Sequence, residues 1–264
     1  MNLEKITKEI ISVSEEAALF IKKELSTFDD SKIEFKDPNN LVSYVDKTAE
    51  EILVKGLSKI LPEAGFITEE GTADHNNEEL KWVIDPLDGT TNFSHKLPVF
   101  STSVGLIKGE NPIAGVVIEV NRNDCFYAWK GGGAYCNGKP IHVSKHTKLE
   151  ETLLATGFPY YMFDKLDNYI AALKDFLQKT RGLRRMGSAA VDLCYTACGI
   201  FDGYFEFNLN PYDIAGGSII VEEAGGIVSR FDGSENYISG EEIVAASPAI
   251  HAEMQKIISY HWDK

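Results

Sequence analysis

Basic residues are scarce in this sequence. Against 40 Asp and Glu stand 26 Lys and Arg, a net charge of −14 with no basic stripe, which repels phosphodiester backbones and argues against general nucleic-acid binding. No apolar run approaches the roughly 18 residues that a membrane span needs. MNLEKITKEI opens with mixed charge in place of a basic segment ahead of an apolar one, so no membrane association and a cytoplasmic location are expected. The four cysteines, Cys125, Cys136, Cys194 and Cys198, form no CxxC pair; Cys194 and Cys198 lie one helical turn apart and are expected as core thiols. HExxH and GxSxG are both missing, so zinc-protease and serine-hydrolase chemistry lack support and the six histidines are expected at the surface. GAYCNGK (Gly133 to Lys139) mimics a nucleotide-binding loop, but Pro140 stands where a metal-binding hydroxyl is required. Asn137-Gly138 there predicts a tight hairpin, since both residues tolerate positive φ.

With 264 residues and 44% hydrophobic content, the chain can bury a sizeable core. Leu3, Ile6, Ile10, Val13, Ala17 and Phe20 recur at steps of three and four, predicting an amphipathic helix over 3–25. A second helix is predicted over about 47–61, closed by Pro62. A short strand at 65–68 follows, and β-branched or aromatic segments at 81–84, 102–107, 113–120 and 125–130 read as an antiparallel sheet. Past about residue 145, helices at 164–178, 189–199 and 214–224 alternate with strands near Leu153, Leu183, Gly203, Gly226 and Ile243. That alternation indicates a mixed α/β second half and two packed lobes with a cleft between them.

The most informative stretch is WVIDPLDGTTNF, Trp82 to Phe93. An apolar strand runs into Asp85, Pro86, Leu87 and Asp88, and two carboxylates three residues apart across a proline turn can converge on hard, oxygen-seeking cations, joined by the intervening carbonyl. Gly89 allows close backbone approach to an anion, and a helix starting at Thr90 would present free amides to a phosphate. Asp85 and Asp88 could equally be helix caps after a turn. Two further carboxylate segments at element boundaries weigh against that: Glu69-Glu70 after the strand GFIT, and Asp213 in NPYDIAGG before an apolar helix.

FITEE, WVIDPLDGTTNF and PYDIAGGSIIVEEAGG, in this order, resemble the signature segments of the inositol monophosphatase family. The likeness extends through NLVSYVDKTAEE, GGGAYCNGKPIHVS and RRMGSAAVDLC, spanning about Lys36 to Gly226. It implies an α/β (α+β) fold, a layered αβαβα sandwich of two lobes. An N-terminal lobe of residues 1–147 would have an antiparallel sheet and most metal ligands, and a C-terminal lobe of 148–264 a mixed sheet with Asp213 and the substrate contacts. By position, the resemblance implies that Glu69, Asp85 and the Leu87 carbonyl bind one magnesium ion and that Asp85, Asp88 and Asp213 bind a second. A weaker third ion would also lean on Glu69. Thr90 with Asp46 matches the pair that orients and deprotonates the attacking water, and Lys36 matches a lysine near Glu69. Clustered cations neutralise phosphoryl oxygens and lower the pKa of water for an in-line displacement that needs no phosphoenzyme.

The implied substrate contacts are Asp88, Gly89, Thr90, Ala189, Glu206 and Asp213, with Asp88, Ala189 and Glu206 touching the hydroxyls of a cyclic polyol. The implied reaction is hydrolysis of a small phosphate monoester, foremost myo-inositol monophosphate. Bisphosphate nucleotidase, fructose-1,6-bisphosphatase and histidinol-phosphatase activities are the alternatives, a second phosphate being served by Arg181, Arg184 or Arg185. A regulatory binding protein with vestigial catalysis is the reading from another class. Lithium sensitivity and a homodimer are further implications. Tyr212 stands where the family has tryptophan before its last metal aspartate. The segment Thr156 to Phe163, the far wall of the pocket, has no assigned contacts, and the polar, turn-rich loop Gly71 to Glu79 reads either as a segment that moves over the site or as a surface excursion.

Overall fold

The computed structural model describes residues 1–28, 33–37, 40–73, 78–158, 164–239 and 241–262, without the side chains of 33–37 and 40–42. Its elements run α1 (Leu3–Leu25), β1 (Ile33–Asp37), β2 (Asn40–Ser43), α2 (Tyr44–Ile60), β3 (Gly65–Thr68), β4 (Leu80–Asp88), α3 (Thr90–Ser94), β5 (Ser101–Lys108), β6 (Asn111–Glu119), β7 (Asp124–Trp129), β8 (Gly133–Cys136) and β9 (Lys139–Pro140). The second half adds β10 (Leu153–Thr156), α4 (Leu166–Lys179), β11 (Gly182–Arg184), α5 (Ala189–Ala197), β12 (Gly203–Phe207), α6 (Pro211–Glu223), β13 (Ile227–Ser229), β14 (Glu242–Ala246) and α7 (Pro248–Trp262).

Local chemistry accounts for the helix starts. Asn2 caps α1 by accepting the Lys5 N–H at 3.0 Å, and Ile6, Ile10, Ala17 and Ile21 form its buried stripe. Pro211 opens α6, where a missing N–H costs nothing. The Asn137-Gly138 hairpin is present, with φ of 50° and 78°.

Five layers result. α1 and α2 cover one face of a seven-stranded sheet ordered β3-β4-β5-β6-β7-β8-β9, and α5 and α6 fill the space between it and a five-stranded sheet ordered β11-β10-β12-β14-β13. α4 and α7 close the outer face of the second sheet. This is the expected αβαβα sandwich, and three apolar clusters lie between successive layers. The second sheet is mixed as expected, but the first departs from the antiparallel expectation at one edge, where β3 runs parallel to β4. The short apolar run GFIT carries no sign of its partner's direction, so sequence pattern could not distinguish the two. β1, β2 and α7 were not expected, and the buried His251 on α7, bonded to Ser229 at 2.8 Å, corrects the surface placement of the histidines.

Glycine sets the spacing of the central layers. Gly105 and Gly115 are cross-strand partners on β5 and β6, and α6 lies directly on them. A Cβ on Gly115 would sit 2.3 Å from the Gly216 carbonyl oxygen, and one on Gly105 would sit 2.8 Å from Ala215 Cβ. The helix therefore approaches the first sheet closely enough to carry residues at its N-terminus to the end of β4.

Candidate active site

β4 ends in a bulge. Asp85 pairs with Ser103 and Asp88 with Ser101, so three residues advance on β4 against two on β5. In a regular strand, residues three apart face opposite ways; the extra residue returns Asp88 to the side of Asp85. The expected proline turn is thus an irregular strand end with the same effect on the two carboxylates. Asp85 is buried and accepts the Leu87 N–H at 3.0 Å. The second half of the chain holds Asp88, whose Oδ2 accepts from Ser188 Oγ at 2.6 Å and from the Ala190 N–H at 2.7 Å.

Asp213 was expected just before α6 but lies inside its first turn, because Pro211 starts the helix two residues earlier. There it accepts the Asn210 N–H at 2.6 Å. Glu69 follows the last residue of β3, at the edge next to β4.

Electrostatics bind these positions into one cluster. Burial pushes the Asp85 carboxyl well above its usual range, and Glu69, Asp88 and Asp213 push it further. Asp88 is raised to about 6 by burial, with the Ser188 and Ala190 bonds and Arg185 pulling the other way. Asp213 is raised to about 8 by burial and then by Asp88. Glu69 lies within hydrogen-bonding reach of Asp85, a contact two carboxylates make only by sharing a proton or a cation. Tyr212 packs beside the cluster, its phenol pushed up by burial and by Asp213, Glu69 and Asp85.

Among the described residues, no three acidic, histidine or cysteine side chains already enclose a common point as an ion's ligands. The donor chemistry nonetheless fits hard divalent cations: carboxylates that destabilise one another, with a nearby carbonyl at Leu87. A cation between Asp85, Asp88, Asp213 and Glu69 would remove the repulsion that lifts their pKa values.

Asp46 and Thr90 meet beside this cluster. Ser43 caps α2, and its N–H and Oγ both donate to Asp46 Oδ2, at 2.8 and 2.6 Å. That leaves Oδ1 for the Thr90 hydroxyl at 3.0 Å, which also lies 3.0 Å from the Leu87 carbonyl. A single hydroxyl proton serves one of these acceptors at a time, leaving Thr90 Oγ1 able to accept from a third group. Thr90→Val keeps the shape and removes this hydroxyl. It is expected to lower kcat by roughly 10²- to 10⁴-fold with little change in melting temperature, and Thr90→Ser to restore most of the rate. Steady-state kinetics beside a thermal melt would check both.

A cleft of about 190 Å³ opens next to the cluster, lined by Asp88, Gly157, Arg185, Ala189, Glu206 and Asp213, among others. Glu206 accepts from Tyr204 OH at 2.5 Å and is raised to about 7 by burial. Gly157 makes room for it, since a Cβ there would lie 1.8 Å from Glu206 Oε1. Gly89 caps α3 at φ 95°, with the Gly187 and Val99 carbonyls 3.1 Å from any Cβ it carried. Arg185 reaches the cleft, whereas Arg184 is exposed on β11 and Arg181 is exposed ahead of it.

The expected residues Asp46, Glu69, Asp85, Leu87, Asp88, Gly89, Thr90, Ala189, Glu206 and Asp213 therefore lie around one corner. The side chain of Lys36, on β1, lies outside the described residues, as do positions 159–163 of the far wall and 74–77 of the polar loop. Sequence reading passed over Ser188, Tyr204 and Gly157. Ser188 was detectable as the N-cap signal before α5, but nothing local pairs it with Asp88, 100 residues away.

The sequence profile of the inositol monophosphatase family matches residues 2–263. The chain belongs to the inositol monophosphatase family. The Escherichia coli (strain K12) protein named Nus factor SuhB is 40% identical over 242 residues, 91% of this chain and 90% of that one. The fold is similar to the crystal structure of the extragenic suppressor protein SuhB from Bartonella henselae (TM-score 0.90, 31% identity, covering 96% of this chain and 98% of that one) and to the structure of inositol monophosphatase from Anabaena (TM-score 0.87, 32% identity, covering 98% and 97%). Family membership supports phosphatase chemistry that depends on metal. No described helix is long and apolar enough to cross a membrane.

Proposed function

We propose that the chain is a magnesium-dependent phosphatase that hydrolyses a small phosphate monoester, foremost myo-inositol monophosphate, to the alcohol and phosphate. The observation that carries this reading is the crowding of Glu69, Asp88 and Asp213 on the buried Asp85, with the Thr90–Asp46 pair bonded beside Leu87 and with Asp88 and Asp213 lining the cleft that Glu206 also lines. Glu69, Asp85 and the Leu87 carbonyl would hold one ion and Asp85, Asp88 and Asp213 a second, with a third leaning on Glu69. When bound, magnesium supplies positive charge at the phosphoryl group and acidifies water. Thr90 Oγ1 takes a proton from the attacking water as its own passes to Asp46 Oδ1, while Ser43 keeps the carboxylate from turning away. Glu206, braced by Tyr204, and Asp88 face the hydroxyls of the alcohol, with the amide end of α5 at Ala189 between them.

In this reading residues 1–147 supply most metal ligands and 148–264 supply Asp213 and the substrate wall. Lithium sensitivity, a homodimer and a cytoplasmic location belong to the same proposal. Bisphosphorylated substrates rank second, because Arg185 alone of the three arginines lines the cleft and already faces Asp88, Asp192 and Glu206. The relative named a Nus factor supports a regulatory role alongside or in place of catalysis. Phosphate release with magnesium from inositol 1-phosphate, fructose 1,6-bisphosphate, 3′-phosphoadenosine 5′-phosphate and histidinol phosphate tests the reading. The inositol ester is expected to give the highest kcat/KM. Silence on all four with metal bound would favour the regulatory role.

A further inference from the structure

We propose that Glu50 is a positioning residue that holds the turn carrying Glu69, so that α2 alone sets both the proton acceptor Asp46 and a metal ligand. The inference rests on the reading of Glu69 as a magnesium ligand. Glu50 follows Asp46 by four residues and so lies above it on the same face of α2. Its side chain is fully buried. A carboxylate so placed must have donors, and three come from the turn after β3: the Glu70 N–H to Oε2 at 2.8 Å, the Thr72 N–H to Oε1 at 2.9 Å, and Thr72 Oγ1 to Oε1 at 2.8 Å.

The first of these bonds acts directly on Glu69. The Glu70 N–H shares a rigid peptide plane with the Cα and carbonyl of Glu69, so fixing the direction of that N–H fixes the Glu69 backbone. The turn has left the β3–β4 ladder, whose pairing ends at Thr68, and a carboxylate accepting backbone N–H groups makes a strong, charge-assisted contact in their place. Because both oxygens of Glu50 are engaged by the turn, its contribution to an ion runs through Glu69.

Gln at position 50 keeps the volume but has one acceptor oxygen. Its NH₂ must then oppose either the Glu70 N–H or the Thr72 donors, freeing one side of the turn. Isothermal titration of Mg²⁺ into metal-free wild type, Glu50→Gln and Thr72→Val, with melting curves of each, tests the role. The Mg²⁺ dissociation constant is expected to rise roughly 10- to 100-fold in Glu50→Gln and by less in Thr72→Val, as for groups that orient metal ligands. The substrate KM at saturating Mg²⁺ should stay unchanged. A lower melting temperature with wild-type Mg²⁺ affinity would assign Glu50 to the fold alone and overturn the proposal. If Glu50→Gln does not fold, unchanged affinity in Thr72→Val overturns it, and a raised Mg²⁺ dissociation constant there sustains it. A wild type that takes up no Mg²⁺ defeats the metal assignment and this proposal together, whereas equal binding by wild type and Glu50→Gln defeats this proposal only.

Discussion

Asp85→Asn is expected to lower magnesium-dependent kcat/KM by roughly 10³-fold or more while raising the melting temperature of the metal-free protein at pH 8. The loss follows from the bridging position: in the proposed site Asp85 serves both ions, metal charge at a phosphoryl group contributes several kcal/mol, and each ~1.4 kcal/mol is tenfold in rate. Asn keeps the oxygen that accepts the Leu87 N–H, so the strand end retains its shape. The stability gain comes from the same crowding. Asp85, Asp88 and Asp213 all titrate above their unfolded values, Asp88 at about 6 and Asp213 at about 8. A carboxyl group with a raised folded pKa contributes stability that is complete below its unfolded value near 4 and is lost as pH rises through the folded value. Metal-free wild type should therefore melt at progressively lower temperature between about pH 4 and pH 8, and Asp85→Asn should flatten that slope. Magnesium should flatten it in wild type and act far less on the variant. Calorimetry across pH, with and without Mg²⁺, reads all of this. A variant with wild-type turnover would remove Asp85 from the metal site.

The candidate site was largely legible in the sequence because its residues occupy element boundaries within short, dense segments. Asp85 and Asp88 end an apolar strand, Glu69 directly follows GFIT, and Asp213 stands two residues after a proline that starts a helix. What was not legible was pairing across the chain. Ser188 gives its hydroxyl to Asp88, and Glu50 takes three donors from the turn at 70–72. Each looks ordinary locally, one as a cap and the other as one of many glutamates on a helix. The bulge at Asp85 to Asp88 was likewise hidden, since a proline between two aspartates reads equally as a turn or as an irregular strand end.

The fold was legible where periodicity speaks. The stripes of α1 and α2 and the alternating segments of the second half are present within a few residues of expectation. Strand direction carries no periodic signal, which is why the parallel pairing of β3 with β4 differed from the expected antiparallel sheet. The αβαβα layering itself could not be obtained from periodicity; it came from the family resemblance, and the reason the layers fit so closely lies in residues with no side chain at all.

Gly115→Ala tests that fit. The added methyl would lie 2.3 Å from the Gly216 carbonyl oxygen and 2.5 Å from Ile219 Cγ2, and the first of these is backbone that cannot rotate away. α6 must lift from the sheet or β6 must sink. Overpacking of this kind costs about 1–3 kcal/mol, occasionally more, which for a chain of this size lowers the melting temperature by roughly 2–12 °C. The larger consequence falls on function. Asp213 sits in the first turn of α6 and Asp85 on β4, and α6 spans the sheet from β4 to β7, so a helix displaced at Gly216 carries Asp213 away from Asp85 and Asp88. A shift of about 1 Å at reacting groups can cost on the order of 10²-fold in rate. Gly115→Ala should therefore lose Mg²⁺ affinity and turnover even at temperatures where it remains fully folded. An unchanged melting temperature would mean that the helix is not seated on these glycines. A lowered melting temperature with wild-type Mg²⁺ affinity would mean that Asp213 reaches its place independently of how α6 packs.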